Sequence, residues 1–316
     1  MRLYSLLAAA KINLYLEIIG SRPDGFHELV MVMQSVDLCD RITVRSIGSE
    51  EIRLRCDQPD LPTDERNLAQ QAAQLMVQKY PEGMARWGGA EITLEKRIPV
   101  GAGLAGGSAD AAATLSGLNL LWELGLTQGE LQVLGAELGS DVPFAIVGGC
   151  AIATGRGERL DSLVSLDGLY AVLAKYQNLS VSTPWAYQTY REAFGNTYLN
   201  DAARIEARRH QVHAGEMVAA ISHHDGPAMA QFLHNDLEKV VLPAYPQVAE
   251  LKQRMAAAGG LGTLMSGSGP TLFTLTTSQA EAETIATQVR SQITDPNLGL
   301  WITRFASTGI RLNPER

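Results

Sequence analysis

The chain has 316 residues, with 34 Asp plus Glu against 26 Lys plus Arg and a formal net charge of −8. That length suggests about two domains, each able to bury its own core. The charge argues against broad attraction to nucleic acid or an anionic membrane, so an anionic ligand has to be held locally.

Cys39, Cys56 and Cys150 stand far apart with no C-x-x-C. This speaks against a disulfide framework or zinc site and for a reducing compartment, with the cytoplasm as the expectation. No apolar run approaches the ~20 residues that span a bilayer, and the N-terminus lacks a signal-like apolar region, so a soluble protein is expected.

Residues 11–19 alternate. Their spacing predicts a half-buried strand with Ile12, Leu14, Leu16 and Ile18 on one face and Lys11, Asn13, Tyr15 and Glu17 on the other. Residues 41–47 and 51–56 read as the arms of a hairpin around Gly48-Ser49, followed by a Pro/Asp-rich loop at 57–62. Then come a helix over 67–80, a strand over 90–94, a glycine-rich loop, and a helix over 108–124 closed by Gly125. Helices over 130–138 and 141–146 precede a hairpin, 150–154 with 159–164, around glycines 155 and 157. A boundary near 160 divides the chain into 1–160 and 161–316. The second part is largely helical over 184–258 and ends strand, GSG turn, strand 271–275, helix 279–293, strand 300–305, an α+β pattern.

The glycine-rich segment, PVGAGLAGGSADAAATL at 99–115, is the strongest local feature. Gly101, Gly103, Gly106 and Gly107 permit positive φ and close backbone approach, and a helix starting at once adds unpaired N–H groups and its dipole. Phosphate suits such a site. The plainer reading is a turn with Ser108 as N-cap and Asp110 favoured by the dipole. Ala111 to Ala113 would let the helix pack tightly on the sheet under either reading.

Gly101, Gly103 and Gly106 also spell G-x-G-x-x-G, which raises a dinucleotide-binding oxidoreductase. Against it, EITLEKRIPV at 91–100 carries four charges and a proline where a buried parallel strand is required. The acid about twenty residues on, Glu123, also falls inside the same helix. No Gly-Lys pair exists to make a Walker A loop.

Asp141 follows Gly139-Ser140 and precedes Val142-Pro143, a helix start, where it is either an ordinary N-cap or a base for an attacking hydroxyl. Lys11 is either a solvated strand lysine or a cation stabilising charge on a reacting oxygen. His210, His213, His223, His224 and His234 follow no metal-ligand spacing.

Three segments in order, KINLYLEIIGSRPDGFHEL at 11–29, the 99–115 loop and MSGSGPTLF at 265–273, resemble the three motifs of the GHMP kinases. The resemblance covers most of the chain. It implies an α+β, two-domain GHMP kinase fold: an N-terminal ribosomal protein S5 domain 2-like domain, a C-terminal ferredoxin-like α/β domain, and an active site in the cleft between them. LGSDVPF around Asp141, VSTPWAY at 181–187 and HNDLE at 234–238 are similar to one branch of that superfamily. That branch uses ATP to phosphorylate the 2-hydroxyl of a cytidine diphosphate-linked alcohol in non-mevalonate isoprenoid synthesis.

The resemblance implies Asp141 as general base assisted by Lys11, with ATP and Mg²⁺ as cofactors. Nucleotide contacts would come from Asn67, Lys96, Pro99, Val100, Gly101, Ala102, Gly103, Leu104, Ala105, Gly106, Gly107, Ser108 and Ala109. Ser108 could reach phosphate or Mg²⁺, but the metal ligands stay open. Gly267 and Gly269 would brace the phosphate loop. The acceptor would meet Asn13, Phe26, His27, Thr183, Pro184, Trp185 and Tyr187, with Phe26 standing where the family often has Tyr. The implied partner is a small-molecule cytidine diphosphate-linked substrate, with neither nucleic acid nor membrane, in a monomer or weak homodimer. The alternatives are a GHMP kinase of homoserine or mevalonate type and a nucleotide-binding module without turnover.

Overall fold

In the computed structural model, which describes residues 2–314, β1 (Leu3–Ser21) and β2 (His27–Ser46) pair antiparallel along their lengths across the turn 22–26. There follow β3 (Ile52–Cys56), α1 (Leu68–Lys79), α2 (Pro81–Trp87) and β4 (Ala90–Glu95). β4 lies between β2 and β3, antiparallel to the first and parallel to the second. The expected 41–47/51–56 hairpin is therefore not formed. β4 is buried along most of its length, while β3 exposes alternate residues. The more apolar strand takes the inside position and leaves the polar one at the edge.

α3 (Gly106–Leu121), α4 (Gln128–Leu138) and α5 (Val142–Val147) come next, then the antiparallel pair β5 (Cys150–Gly155) and β6 (Arg159–Ser162), as the sequence predicts. α3 starts two residues early and stops three early, because Glu123 takes a left-handed φ of 52° ahead of Gly125. It is buried almost all round. Ala111, Ala112 and Ala113 are fully covered, and a Cβ at Gly117 would sit 2.5 Å from Val44 Cγ2, so small residues set how closely helix and sheet approach.

The alternation in β1 does not run unbroken. A bulge between Asn13 and Tyr15 shifts the register against β2, so Ile12 and Leu14 join one core and Leu16 and Ile18 join the other. Lys11 and Asn13 therefore share a face with Leu16, and all three line the same cleft.

β7 (Tyr170–Tyr176) opens the second half, followed by α6 (Thr183–Phe194), α7 (Ala202–His213), α8 (Glu216–Ser222), α9 (Gly226–Gln231) and the two-residue β8 (His234–Asn235). α10 (Glu238–Ala244), α11 (Pro246–Ala257), β9 (Gly262–Met265), β10 (Leu272–Thr276), α12 (Gln279–Gln292), β11 (Leu298–Arg304) and β12 (Ile310–Leu312) complete it. The second sheet has the antiparallel order β11-β7-β10-β9. β8 and β12 return instead to β1 in the first sheet. Among the described residues no helix is long and apolar enough to cross a membrane.

Candidate active site

A cleft of about 1040 Å³ is lined by β1, the 25–27 turn, the loop before α3, the start of α5, α6 and the 267–268 turn. Its charged lining comprises Lys11, Arg66, Lys96, Arg156 and Arg191 against Asp110, Asp141 and Glu192. Cations thus outnumber acids in the cleft of a chain that is acidic overall.

At one end lies the glycine-rich loop. Ala105 takes a left-handed φ of 57° as α3 begins, and the first helical bond runs from Ala109 N to Ala105 O at 2.9 Å. The N–H groups of Gly106, Gly107 and Ser108 precede that bond and have no partner within the helix, the arrangement in which a helix start can accept an anion. Ser108 is thus inside the first turn and is not the N-cap, and its hydroxyl makes no hydrogen bond within the described residues. Gly103, at φ 73°, is pressed against the 266–269 turn. A Cβ there would lie 2.3 Å from the Ser266 carbonyl oxygen, and Ser266 Oγ donates to Gly103 O at 3.1 Å. That turn braces the loop, as the glycines of GSGP suggest, and Asn235 Nδ2 holds it by donating to the carbonyls of Met265 and Gly267.

Of the residues expected at the nucleotide, Pro99 to Ser108 line the cleft, while Ala109 is wholly buried in the core. The helical twist turns Ala109 toward the sheet. Asn67 borders the cleft with its side chain already employed: Oδ1 caps α1 by accepting from Ala69 N at 2.9 Å, and Nδ2 donates to Pro62 O. Lys96 also borders the cleft, but its ammonium lies between two buried carboxylates, Asp40 and, at 2.5 Å, Asp110. Asp40 further accepts from the backbone N–H groups of Arg97 and Ile98. The trio clamps the exit of β4 to β2 and to α3 just past its first turn. Burial pushes the Asp110 carboxyl up, Lys96 notwithstanding. Nothing in the local sequence around Asp40 marks it for this task.

Across the cleft, Asp141 occupies the N-cap position of α5 yet makes no side-chain capping bond. Its carboxylate instead faces Lys11, with Nζ and Oδ2 3.6 Å apart. The lysine side chain is only 8% exposed, which excludes a solvated strand lysine. Nζ also donates to Asn13 Oδ1 at 2.7 Å, and the backbone N–H of Lys11 donates to Leu104 O, tying the cation to the glycine-rich loop.

The far end is aromatic. Phe26, half exposed, carries the Arg156 guanidinium 5.1 Å from its ring centroid. His27 packs against Tyr187 at 5.1 Å and edge-on against Tyr198 at 5.9 Å. Burial, reinforced by Arg191, lowers the His27 imidazole to about 4. Burial raises the Tyr187 phenol, and the Asp141 charge adds to that. Thr183, whose hydroxyl meets Ser268 Oγ at 2.8 Å, Pro184 and Tyr187 all line the cleft. Trp185 does not: it lies on the other side of α6, edge-on to Tyr245 at 5.5 Å. Two positions before Tyr187 on a helix is about 200° away. Arg156 and Arg191 are cleft residues that the sequence reading missed, because an arginine in a hairpin or on a polar helix face carries no signal of its own.

The family described as GHMP kinases N terminal domain matches residues 67–149, and GHMP kinases C terminal matches 217–295. The 4-diphosphocytidyl-2-C-methyl-D-erythritol kinase of Gloeothece citriformis is 59% identical over 312 residues, 99% of either chain. The chain belongs to the GHMP kinases. A crystal structure of 4-(cytidine 5'-diphospho)-2C-methyl-D-erythritol kinase superposes on this GHMP kinase with a TM-score of 0.73 and 32% identity, covering 96% of this chain and 99% of that one. The homoserine kinase of Cytophaga hutchinsonii shares the fold, with a TM-score of 0.75 at 21% identity and 99% and 98% coverage. The expected two-domain α+β fold holds, and this GHMP kinase is an ATP-dependent small-molecule kinase. The dinucleotide alternative falls, since β4, which leads into the loop, pairs antiparallel with β2.

Proposed function

We propose that this GHMP kinase transfers the γ-phosphoryl group of ATP to the 2-hydroxyl of 4-diphosphocytidyl-2-C-methyl-D-erythritol, a cytoplasmic step of the non-mevalonate isoprenoid pathway. The observation that carries the reading is one continuous cleft holding both the Lys11–Asp141 pair and a separate aromatic chamber formed by Phe26, His27 and Tyr187. An acceptor without a base has no use for that chamber. A cytidine ring can stack there while its alcohol lies at Asp141. The names of relatives 55–59% identical over nearly their whole length support the same substrate.

In this mechanism the ATP phosphates lie on the amides of Gly106 to Ser108. Asp141 accepts the proton of the 2-hydroxyl, the oxygen attacks the γ-phosphorus, the bond to the bridging oxygen breaks, and ADP leaves. Lys11 stabilises charge on the attacking oxygen, and Asn13 fixes the ammonium by accepting from it. The free Ser108 hydroxyl fits a hard cation that takes few protein oxygens, so Ser108 would hold Mg²⁺. When bound, the ion neutralises charge on the β- and γ-phosphates.

The test is ATP consumption with the diphosphocytidyl erythritol, homoserine and mevalonate side by side. Turnover with the first alone is expected. Turnover of homoserine or mevalonate without it refutes the assignment.

A further inference from the structure

His27 can offer a ligand either a donor or an acceptor, and its environment decides which. Arg191, one helical turn beyond Tyr187 on α6, reaches the 22–27 segment twice. Its Nη2 donates to the Gly25 carbonyl at 2.7 Å, and its Nε donates to His27 Nε2 at 3.4 Å. A guanidinium has only donors and keeps its proton in proteins. Nε2 must therefore present its lone pair, and a neutral imidazole bonded in that way carries its hydrogen on Nδ1. Nδ1 has no hydrogen-bond partner among the described residues, and His27 lines the cleft.

We propose that Arg191 is a positioning residue that locks His27 as a neutral Nδ1–H donor, so that the aromatic chamber reads a hydrogen-bond acceptor on the pyrimidine edge. This rests on the cytidine reading above. The groups against the ring are Arg191 and Tyr187 from α6 and Tyr198 from the segment that follows. None is acidic, so nothing there favours an imidazolium, and the burial that lowers the ring's basicity acts in the same direction. Holding the Gly25 carbonyl with the same side chain also fixes the turn that presents Phe26, so one arginine orients both the stacking ring and the donor.

The tautomer can be read directly. Protein carrying ¹⁵N-histidine is compared as parent, Arg191→Met and Arg191→Lys, with the His27 signals assigned by their loss in His27→Gln. The parent should show the Nδ1–H form at pH 7, and Arg191→Met should populate Nε2–H. Arg191→Lys, whose ammonium also only donates, should restore Nδ1–H. In parallel, the Kd for CMP should rise at least about five-fold in Arg191→Met and recover partly in Arg191→Lys, with ATP binding unchanged. A loosened turn alone would weaken CMP without moving the tautomer. An Nε2–H form in the parent, an unmoved tautomer in Arg191→Met, or a moved tautomer with unchanged CMP affinity overturns the proposal. A parent that shows the Nδ1–H form yet ignores CMP overturns the cytidine reading instead.

Discussion

Alanine substitutions at Gly107 and Gly103 distinguish a phosphate-binding loop from a structural turn. Gly107 lies in the first turn of α3, outside the left-handed region, and a Cβ added there would meet only Leu68 Cδ1, at 3.7 Å. Gly107→Ala should therefore leave the fold intact, and helix propensity adds about 0.5–1 kcal/mol in its favour. Bound phosphate reverses the sign, because the methyl then stands among the amides of residues 106–108. Losing one hydrogen bond to a charged group costs about 1.5–3 kcal/mol, or roughly 10- to 150-fold in the Kd for ATP. Gly103→Ala is the opposite case. Its φ of 73° and the 2.3 Å approach to the Ser266 carbonyl require the loop and turn to separate, so thermal stability should fall even without nucleotide. Calorimetric titration with ATP, beside thermal unfolding of the free proteins, reads both effects. Unchanged ATP affinity in a stable Gly107→Ala protein would refute the phosphate reading of the loop.

Asp141→Asn should lower kcat by about 100-fold or more while leaving ATP affinity near the parent value, and near-normal turnover would remove Asp141 from the chemistry. Phe26→Ala should raise the acceptor KM roughly ten-fold, since stacking on a base is worth ~1–3 kcal/mol; an unchanged KM places the base elsewhere. Asp236 gives a pH signature. Burial opposes its charge, yet His234, Lys239 and the Ile18 N–H hold its carboxyl down to about 2, against 3.8 for the ordinary group. The unfolded chain therefore binds more protons between those values. The contribution, about 2 kcal/mol, is complete above about pH 4 and is lost as pH falls toward 2. Urea unfolding at a series of pH values should show that slope in the parent and lose it in Asp236→Asn; identical slopes would contradict it.

What the sequence made legible was mostly local. Gly101 to Gly107, the Asp141 helix start and the GSGP turn all lie within a few residues of the chemistry they imply, and glycine patterns constrain backbone directly. Three things were hidden. The bulge at Leu14 is set by pairing with β2, so a regular alternation in the sequence concealed a change of face. β4 displaced β3 from β2 because burial across the whole sheet outweighs adjacency in the chain. Asp40 and Arg191 act on residues 56 and 164 positions away, a relation no spacing rule expresses.

The two strands that return to β1 carry a consequence for how the molecule is made. Leu6 to Ala8 are covered by Ile310 to Leu312, and Tyr15 and Leu16 by His234 and Asn235. While the ribosome is still working on the second half, the strand bearing Lys11 and Asn13 has β2 on one side and open backbone N–H and C=O groups on the other, an edge that invites pairing with a neighbouring nascent chain. The first sheet to emerge is thus the last to be completed. A chain cut after residue 309 would keep every residue of the cleft and still carry that open edge at Leu6 to Ala8. Its loss should appear as poor recovery from expression and a tendency to self-associate before any change in the kinetics of the molecules that do fold.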